Sequence, residues 1–314
     1  MSMTGASRPM RTASRPSDRI RSAALALAAS AAVGGCYPYG LTGADVVLTD
    51  QRLMASGSRL APGPGLADVG ERLGLNVTEE TLAASFGRVA LTRFEHGEPR
   101  PLIVFCGGNM FRRSVSGARM VEALAPLGDV WIFDYPGYGG SAGEGSPAEF
   151  DAMAAVVAER VDRAFAEGRQ GDLAFWGHSL GGLVSSDVAG RSRIQSDLVL
   201  VATFQSFEEV IRAGAAARAG PLAVLVRPVV GDDVPSLDIG RSLAGYGGTV
   251  IVVAARDDAV VPWLASDRLE KTLRRQGVAT KRIDVPSGDH SRIHDTPGLM
   301  AQIQSALSAA NFGD

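Results

Sequence analysis

The sequence predicts an α/β fold: one doubly wound, mostly parallel sheet with helices on both faces. Three observations carry that reading. Short apolar runs, continuous rather than alternating, recur along the chain and read as strands buried on both faces. Between them lie longer segments with apolar residues at three- and four-residue spacing, the pattern of helices that lay one face on a sheet. The 314 residues, 46 % hydrophobic and 21 % charged, suffice for a sizeable core, and no repeat at solenoid periods interrupts the alternation.

Residues 1–35 differ in composition from the rest of the chain. Arg8, Arg11, Arg15, Arg19 and Arg21 form a basic leader, Ala23 to Val33 is a mostly apolar run, and Val33-Gly34-Gly35 precedes Cys36. This order is that of a secretory signal peptide, and the run is shorter than the about 20 residues a membrane-spanning helix needs. The Val-Gly-Gly-Cys junction resembles the lipobox of bacterial lipoproteins, which implies lipidation at Cys36, Cys36 as mature N-terminus, and an exported, membrane-tethered, periplasmic or extracellular protein. Residues 36–84 are expected to form an N-terminal segment with edge strands, and residues 85–314 the catalytic domain.

In the mature part, Gly87 to Phe94 alternates as an antiparallel edge strand does, with a partner strand expected within residues 45–60. Leu102 to Cys106 is a buried strand ending in Gly107-Gly108, and Val130 to Phe133 is a second, closed by Asp134-Tyr135-Pro136-Gly137. Leu173 to Trp176, Leu198 to Ala202, Thr249 to Ala254 and Lys281 to Val285 complete the series. Ser146-Pro147-Ala148-Glu149 joins an N-cap serine, a first-turn proline and a glutamate three residues on, so a helix should open there and continue to about Glu167. Other helices are expected near Ser116–Leu127, Leu180–Gly190, Phe207–Arg218, Ala265–Gln276 and Pro297–Ala310.

The chemistry enters at Gly177-His178-Ser179-Leu180-Gly181, directly after an apolar run and before a helix-compatible segment. In that context G-x-S-x-G is a nucleophile elbow: a strained turn projects the serine hydroxyl, and Cβ atoms two residues to either side would collide. The helix that follows aims its N-terminal N–H groups at charge developing there.

With this elbow the chain resembles the α/β-hydrolase superfamily over nearly all of residues 85–310. Phe105-Cys106-Gly107-Gly108-Asn109 resembles its strand-end His-Gly-Asn segment, with Gly107 in place of the usual His. Asp134 to Ser141 resembles its Asp-Tyr-Arg-Gly-Tyr-Gly-x-Ser loop, and Ala255 to Pro262 its Gly-x-x-Asp-x-x-Val-Pro segment, which carries the triad acid. The resemblance implies a serine hydrolase of the small-lid esterase, lipase or peptidase-like group, needing no cofactor.

A serine hydroxyl needs a base, and the base a carboxylate to hold its tautomer. Of the four histidines, His96 precedes the central strands and His178 sits inside the elbow, where its ring is expected to point away from the hydroxyl. His290 follows the last strand, where the superfamily places its base, with His294 in reserve. Asp258 is in the family's register for the acid, four residues before Pro262, with Asp257 the alternative; Asp289 reads as a turn residue. For the oxyanion hole the resemblance implies the backbone N–H of Leu180, and of Asn109 or alternatively Met110. Cys106 reads as a small core residue.

Other functions are excluded by composition. Without residues 1–35 the balance is 26 basic against 33 acidic residues, net −7, with no basic block, so nucleic acid is not an expected partner. Two cysteines give no C-x-x-C pair for a metal. Arg112 and Arg113 are expected to face solvent, and Met110, Phe111, Phe204, Phe207 and Trp263 to line a shallow pocket under a small lid. The expected partner is a small-molecule ester or acyl substrate, with the membrane reached only through the lipid anchor.

Overall fold

The computed structural model describes residues 39–219 and 228–307; Cys36 and the leader lie outside them. The chain opens with β1 (Tyr39–Leu41), the short helices α1 (Gly43–Val46) and α2 (Asp50–Ala55), and α3 (Leu66–Leu73). Strands β2 (Asn76–Ala84), β3 (Gly87–Glu95) and β4 (Leu102–Cys106) come next, then α4 (Ala118–Leu124), β5 (Asp129–Phe133), α5 (Pro147–Ala166), β6 (Leu173–His178), α6 (Leu180–Arg191) and β7 (Asp197–Val201). The rest comprises α7 (Phe207–Ala219), β8 (Pro228–Val230), α8 (Ile239–Ser242), β9 (Thr249–Ala255), α9 (Trp263–Arg275), β10 (Ala279–Val285) and α10 (Leu299–Ala306).

Eight strands form one sheet in the order β10-β9-β7-β6-β4-β5-β3-β2, parallel from β10 to β5 and antiparallel at β3 and β2. This is the α/β-hydrolase fold. The partner of β3 is not within residues 45–60, which hold α1 and α2, but is β2, paired from Asn76 opposite Glu95 to Ala84 opposite Gly87. A strand here is favoured by Val77, Thr78, Thr81 and Leu82, yet its mixed, polar-rich face gives only a weak alternation.

The buried strands face two cores at once. Along β4, Leu102, Val104 and Cys106 join the core under α5 and α6, while Ile103 and Phe105 join the core under α4 and α10. Each fully buried side chain of this kind contributes about 1.5–3 kcal/mol, so the central strands make a stiff platform for the loops at their C-terminal ends. α5 starts where the capping signal sets it: the Glu149 carboxylate accepts the N–H of Ser146 at 2.9 Å and of Glu144 at 3.0 Å. Its buried stripe is Phe150, Met153, Ala154, Val157, Ala158, Val161 and Ala164. Apart from the main sheet, β1 pairs in parallel with β8, tying the start of the described chain to the connection between α7 and β9.

Candidate active site

Ser179 stands at the bend between β6 and α6 with φ 55° and ψ −122°, a backbone conformation that L-residues rarely adopt. The crowding that demands glycine is direct. A methyl at Gly177 would overlap the Gly181 carbonyl and the Ser185 hydroxyl, and one at Gly181 the carbonyls of Cys106 and Gly107. The bend is pinned by Ser179 N–H donating to Val201 C=O at 2.9 Å and Thr203 Oγ1–H donating to Ser179 C=O at 2.7 Å.

The loops after β9 and β10 bring two side chains to this hydroxyl. His290 Nε2 lies 3.0 Å from Ser179 Oγ, and His290 Nδ1 lies 2.7 Å from Asp258 Oδ2. A carboxylate only accepts, so Nδ1 carries the proton and the Nε2 lone pair faces the hydroxyl. Asp258 is 2 % exposed and its other oxygen accepts the N–H groups of Val260 and Val261 at 2.8 and 2.9 Å, which fixes its rotamer. Asp257 is turned elsewhere: it accepts Ser287 Oγ–H at 2.6 Å and Gly288 N–H at 2.9 Å, joining the acid loop to the histidine loop, and these bonds hold its carboxyl below the usual carboxylate range. Asp289 accepts the Ser291 N–H and starts the 3₁₀ turn His290–Asp295.

The other histidines take different places. His178 makes no hydrogen bond to the Ser179 hydroxyl among the described residues; its Nε2–H donates to the His290 carbonyl at 2.8 Å and its ring centre lies 5.0 Å from that of His290. Burial, then the neighbouring His290 and His294, push its pKa well below the ordinary value, so the ring is neutral. His294 is buried beneath, its Nε2 accepting the Trp176 indole N–H at 3.1 Å, and burial lowers its pKa to about 4. No bond joins His294 to Ser179 among the described residues. His96 lies at the opposite end of the sheet, 2.8 Å from Asp129. Spacing alone gives no signal for this cluster of imidazoles, with His178 tilted against His290 and edge-on to His294, because His178 meets the other two only through the fold.

Facing the hydroxyl is the turn after β4, closed by Phe111 N–H donating to Gly108 C=O at 2.9 Å. A methyl on Gly108 would stand 3.4 Å from Ser179 Cβ and 3.1 Å from His178 Nδ1. The backbone N–H groups of Asn109, Met110 and Leu180 find no acceptor among the described residues. Gly107 is required for a local reason, since a methyl there would overlap the Phe111 ring. Burial pushes the Cys106 thiol up, and with no exposed surface it stays a neutral core group.

Several peripheral expectations change. Arg112 is 2 % exposed, and Arg113 bonds Asp134, Glu79 and Thr92, so neither faces solvent; each is drawn inward by carboxylates from other parts of the chain, Asp50 of α2 for Arg112 and Glu79 of β2 and Asp134 for Arg113. Phe111, Phe204 and Phe207 are buried core residues, with the Phe204 and Phe207 ring centres 5.5 Å apart. Trp263 donates its indole N–H to Asp284 at 2.9 Å and is flanked by Arg256 and Arg282. Part of the expected lid, residues 220–227, lies outside the described residues. Among the described residues no group of three His, Cys, Asp or Glu side chains could hold a metal ion.

A strained serine bend after the fifth strand of an eight-stranded, mostly parallel sheet, met by an imidazole from the last strand's loop, defines the α/β-hydrolase class. Within it, the chain belongs to the family described as serine aminopeptidase, S33, whose model matches residues 97–284. An uncharacterized protein of Mycobacterium tuberculosis, found in two strains, is 33 % identical over 174 residues, 55 % of this chain; the match spans 58 % of that relative's length. Among solved structures, an esterase of Pyrococcus furiosus superposes with a TM-score of 0.62 at 12 % identity, covering 81 % of this chain and 97 % of the esterase. An esterase of Pyrobaculum calidifontis gives 0.55 at 15 % identity, covering 78 % and 90 %. An acylaminoacyl peptidase of Pyrococcus horikoshii gives 0.52 at 12 % identity, covering 75 % of this chain and 41 % of the peptidase. At these identities the likeness is one of fold.

Proposed function

We propose that the protein is a serine hydrolase that cleaves a carboxylic ester of a small molecule through an acyl-enzyme on Ser179. The observation that carries this reading is the unbroken row from Asp258 through His290 to Ser179, at 2.7 and 3.0 Å, on a hydroxyl that a strained bend exposes. Ser179 Oγ attacks the ester carbonyl carbon as its proton passes to His290 Nε2, and the C=O electron pair moves onto oxygen. The N–H groups of Leu180 and Asn109 receive that oxyanion; each such donor contributes about 10²–10³ in rate. Collapse expels the alcohol, protonated by the imidazolium that Asp258 stabilises. Water, deprotonated by the same imidazole, then attacks the acyl-serine, and Ser179 regains its proton as the acid leaves.

A second reading, a peptidase or amidase using the same residues, is favoured by the description of the family and by one fold neighbour. The test is a panel of aryl esters and aminoacyl anilides under matched conditions. The ester reading expects an alcohol burst and sustained turnover on the esters with little anilide cleavage; the reverse preference selects the peptidase, and turnover of neither, with no labelling by a fluorophosphonate, leaves a binding protein that retains the fold.

The leader reading adds export and an anchor at Cys36. Incorporation of labelled palmitate into the full chain, lost in Cys36→Ser, is the result it expects; equal incorporation in both would contradict it.

A further inference from the structure

The turn that carries the Asn109 N–H is held by a segment about 60 positions earlier in the chain. The Asn109 carboxamide is spent on it: Oδ1 accepts the Leu48 N–H at 2.9 Å and the Tyr138 hydroxyl at 2.6 Å, and Nδ2 donates to Val46 C=O at 2.8 Å. Arg112 does the same from the other end of the turn. Its Nε donates to Asp50 at 2.7 Å, one terminal nitrogen to the carbonyls of Asn109 and Phe111 at 3.0 and 3.2 Å, and the other to Leu48 C=O. Its guanidinium lies 3.8 Å over the Tyr138 ring. Asp50 in turn accepts the Gly139 N–H at 3.0 Å and donates its own N–H to Gly137 C=O at 2.9 Å. Arg52 stiffens the segment from within by donating to the carbonyls of Gly43 and Val47.

We infer that residues 46–50 form a strap that sets the position of the oxyanion hole, with Asn109 (through its side chain) and Arg112 as its positioning residues. This rests on the serine hydrolase reading. Donors to a developing oxyanion act only when preorganised, and a displacement of 1 Å costs about 10²-fold in rate. The turn has one backbone bond of its own, Phe111 to Gly108, so its register relative to Ser179 is fixed from outside. Apart from the Asp50 pair, the Arg112 bonds run to main-chain atoms of the turn and the strap. The strap lies outside the segment the family model matches, which begins at residue 97. Its far end is also fixed: β1 pairs with β8, and Gly231 N–H donates to Leu41 C=O at 2.7 Å.

The test measures kcat and KM on an aryl ester, the rate of phosphonylation by a fluorophosphonate, and Tm, for Asn109→Ala, Arg112→Met and, as milder variants that keep the fold, Tyr138→Phe and Asp50→Asn. Val69→Ala, a truncation of a buried core residue on α3, outside both the strap and the turn, supplies a matched loss of Tm. The strap predicts kcat and phosphonylation down about 10–100-fold in Asn109→Ala and Arg112→Met and about 3–10-fold in the milder pair, KM within about 3-fold, and Val69→Ala within about 2-fold of wild type in kcat. Wild-type phosphonylation rates in all four variants, or losses that track Tm as in Val69→Ala, would overturn it while leaving the hydrolase intact. A wild-type protein that never labels would overturn the hydrolase reading, and the strap's role with it.

Discussion

The two ends of the central sheet both gather titratable side chains, yet only one is built for chemistry. At the N-terminal edge of the parallel strands, Arg93, Arg160 and Arg169 surround Trp131 at 4.9 to 5.9 Å, and Glu80, Glu95 and Asp129 answer them. A hollow of about 420 Å³ opens there, lined by Asn76, Glu95, His96, Arg100, Asp129 and Arg169 among others. Its charges are paired, His96 and Arg169 with Asp129 and Arg169 with Glu95, and no serine, threonine or cysteine lines it. At the C-terminal edge His178 and His294 are neutral, one hydroxyl is strained outward, and three backbone N–H groups have no acceptor among the described residues. A nucleophile beside backbone N–H groups that have no acceptor among the described residues marks the candidate site, where charge density alone points to the other end.

The two ends separate most sharply at Ser179. Ser179→Ala should lower ester turnover by about 10⁴-fold or more, with Tm nearly unchanged; Ser179→Gly should do the same while raising stability by about 1 kcal/mol as the positive φ is relieved, read by denaturant unfolding. Asp258→Asn should lower kcat by about 10³–10⁴-fold through the wrong imidazole tautomer, whereas Asp257→Asn, which only loosens the two loops, should cost about 10-fold or less; the opposite ranking in steady-state kinetics would exchange their roles. At the other end, Arg169→Ala should destabilise the fold by about 2 kcal/mol by taking one charged partner each from Glu95 and Asp129, which keep Arg93 and His96, and leave kcat unchanged. A fall in kcat at temperatures where the variant is fully folded would merge the two ends.

A separate effect is one of pH. His178 and His294 bind protons less readily folded than unfolded, so the unfolded chain takes up more protons as pH falls below about 6.5 and stability drops; it is fully retained above that value. For His294, with a folded value of about 4 against 6.5, the loss reaches up to about 3 kcal/mol by about pH 4. His294→Phe should flatten this slope in urea titrations between about pH 4 and pH 7, although it strands the Trp176 N–H.

What was legible in the sequence was local. The apolar runs that became β4 to β7 and β9, the cap that starts α5, and the strand-bend-helix around Ser179 are each written in a short stretch of consecutive residues, and the order serine, acid, histidine is a matter of chain topology. What was not legible depends on segments meeting across the fold. The strand pairing with β3 was expected within 45–60 because β2 carries threonines and glutamates on a half-exposed face and alternates weakly. Arg112 and Arg113 read as solvent-facing because charge argues for water, until Asp50 of α2 and Asp134 after β5 meet them inside the fold. The ring of His178 was expected to point away from the hydroxyl, and nothing in its sequence neighbours shows that it would hold the backbone of His290.

The most direct measurement is reaction of the purified chain with a fluorophosphonate, followed by mass spectrometric mapping of the modified peptide. A single adduct on Ser179, slowed in His290→Ala and absent in Ser179→Ala, is the predicted result. An adduct on another residue, or none from a folded protein over the pH range where imidazole is neutral, would contradict the account.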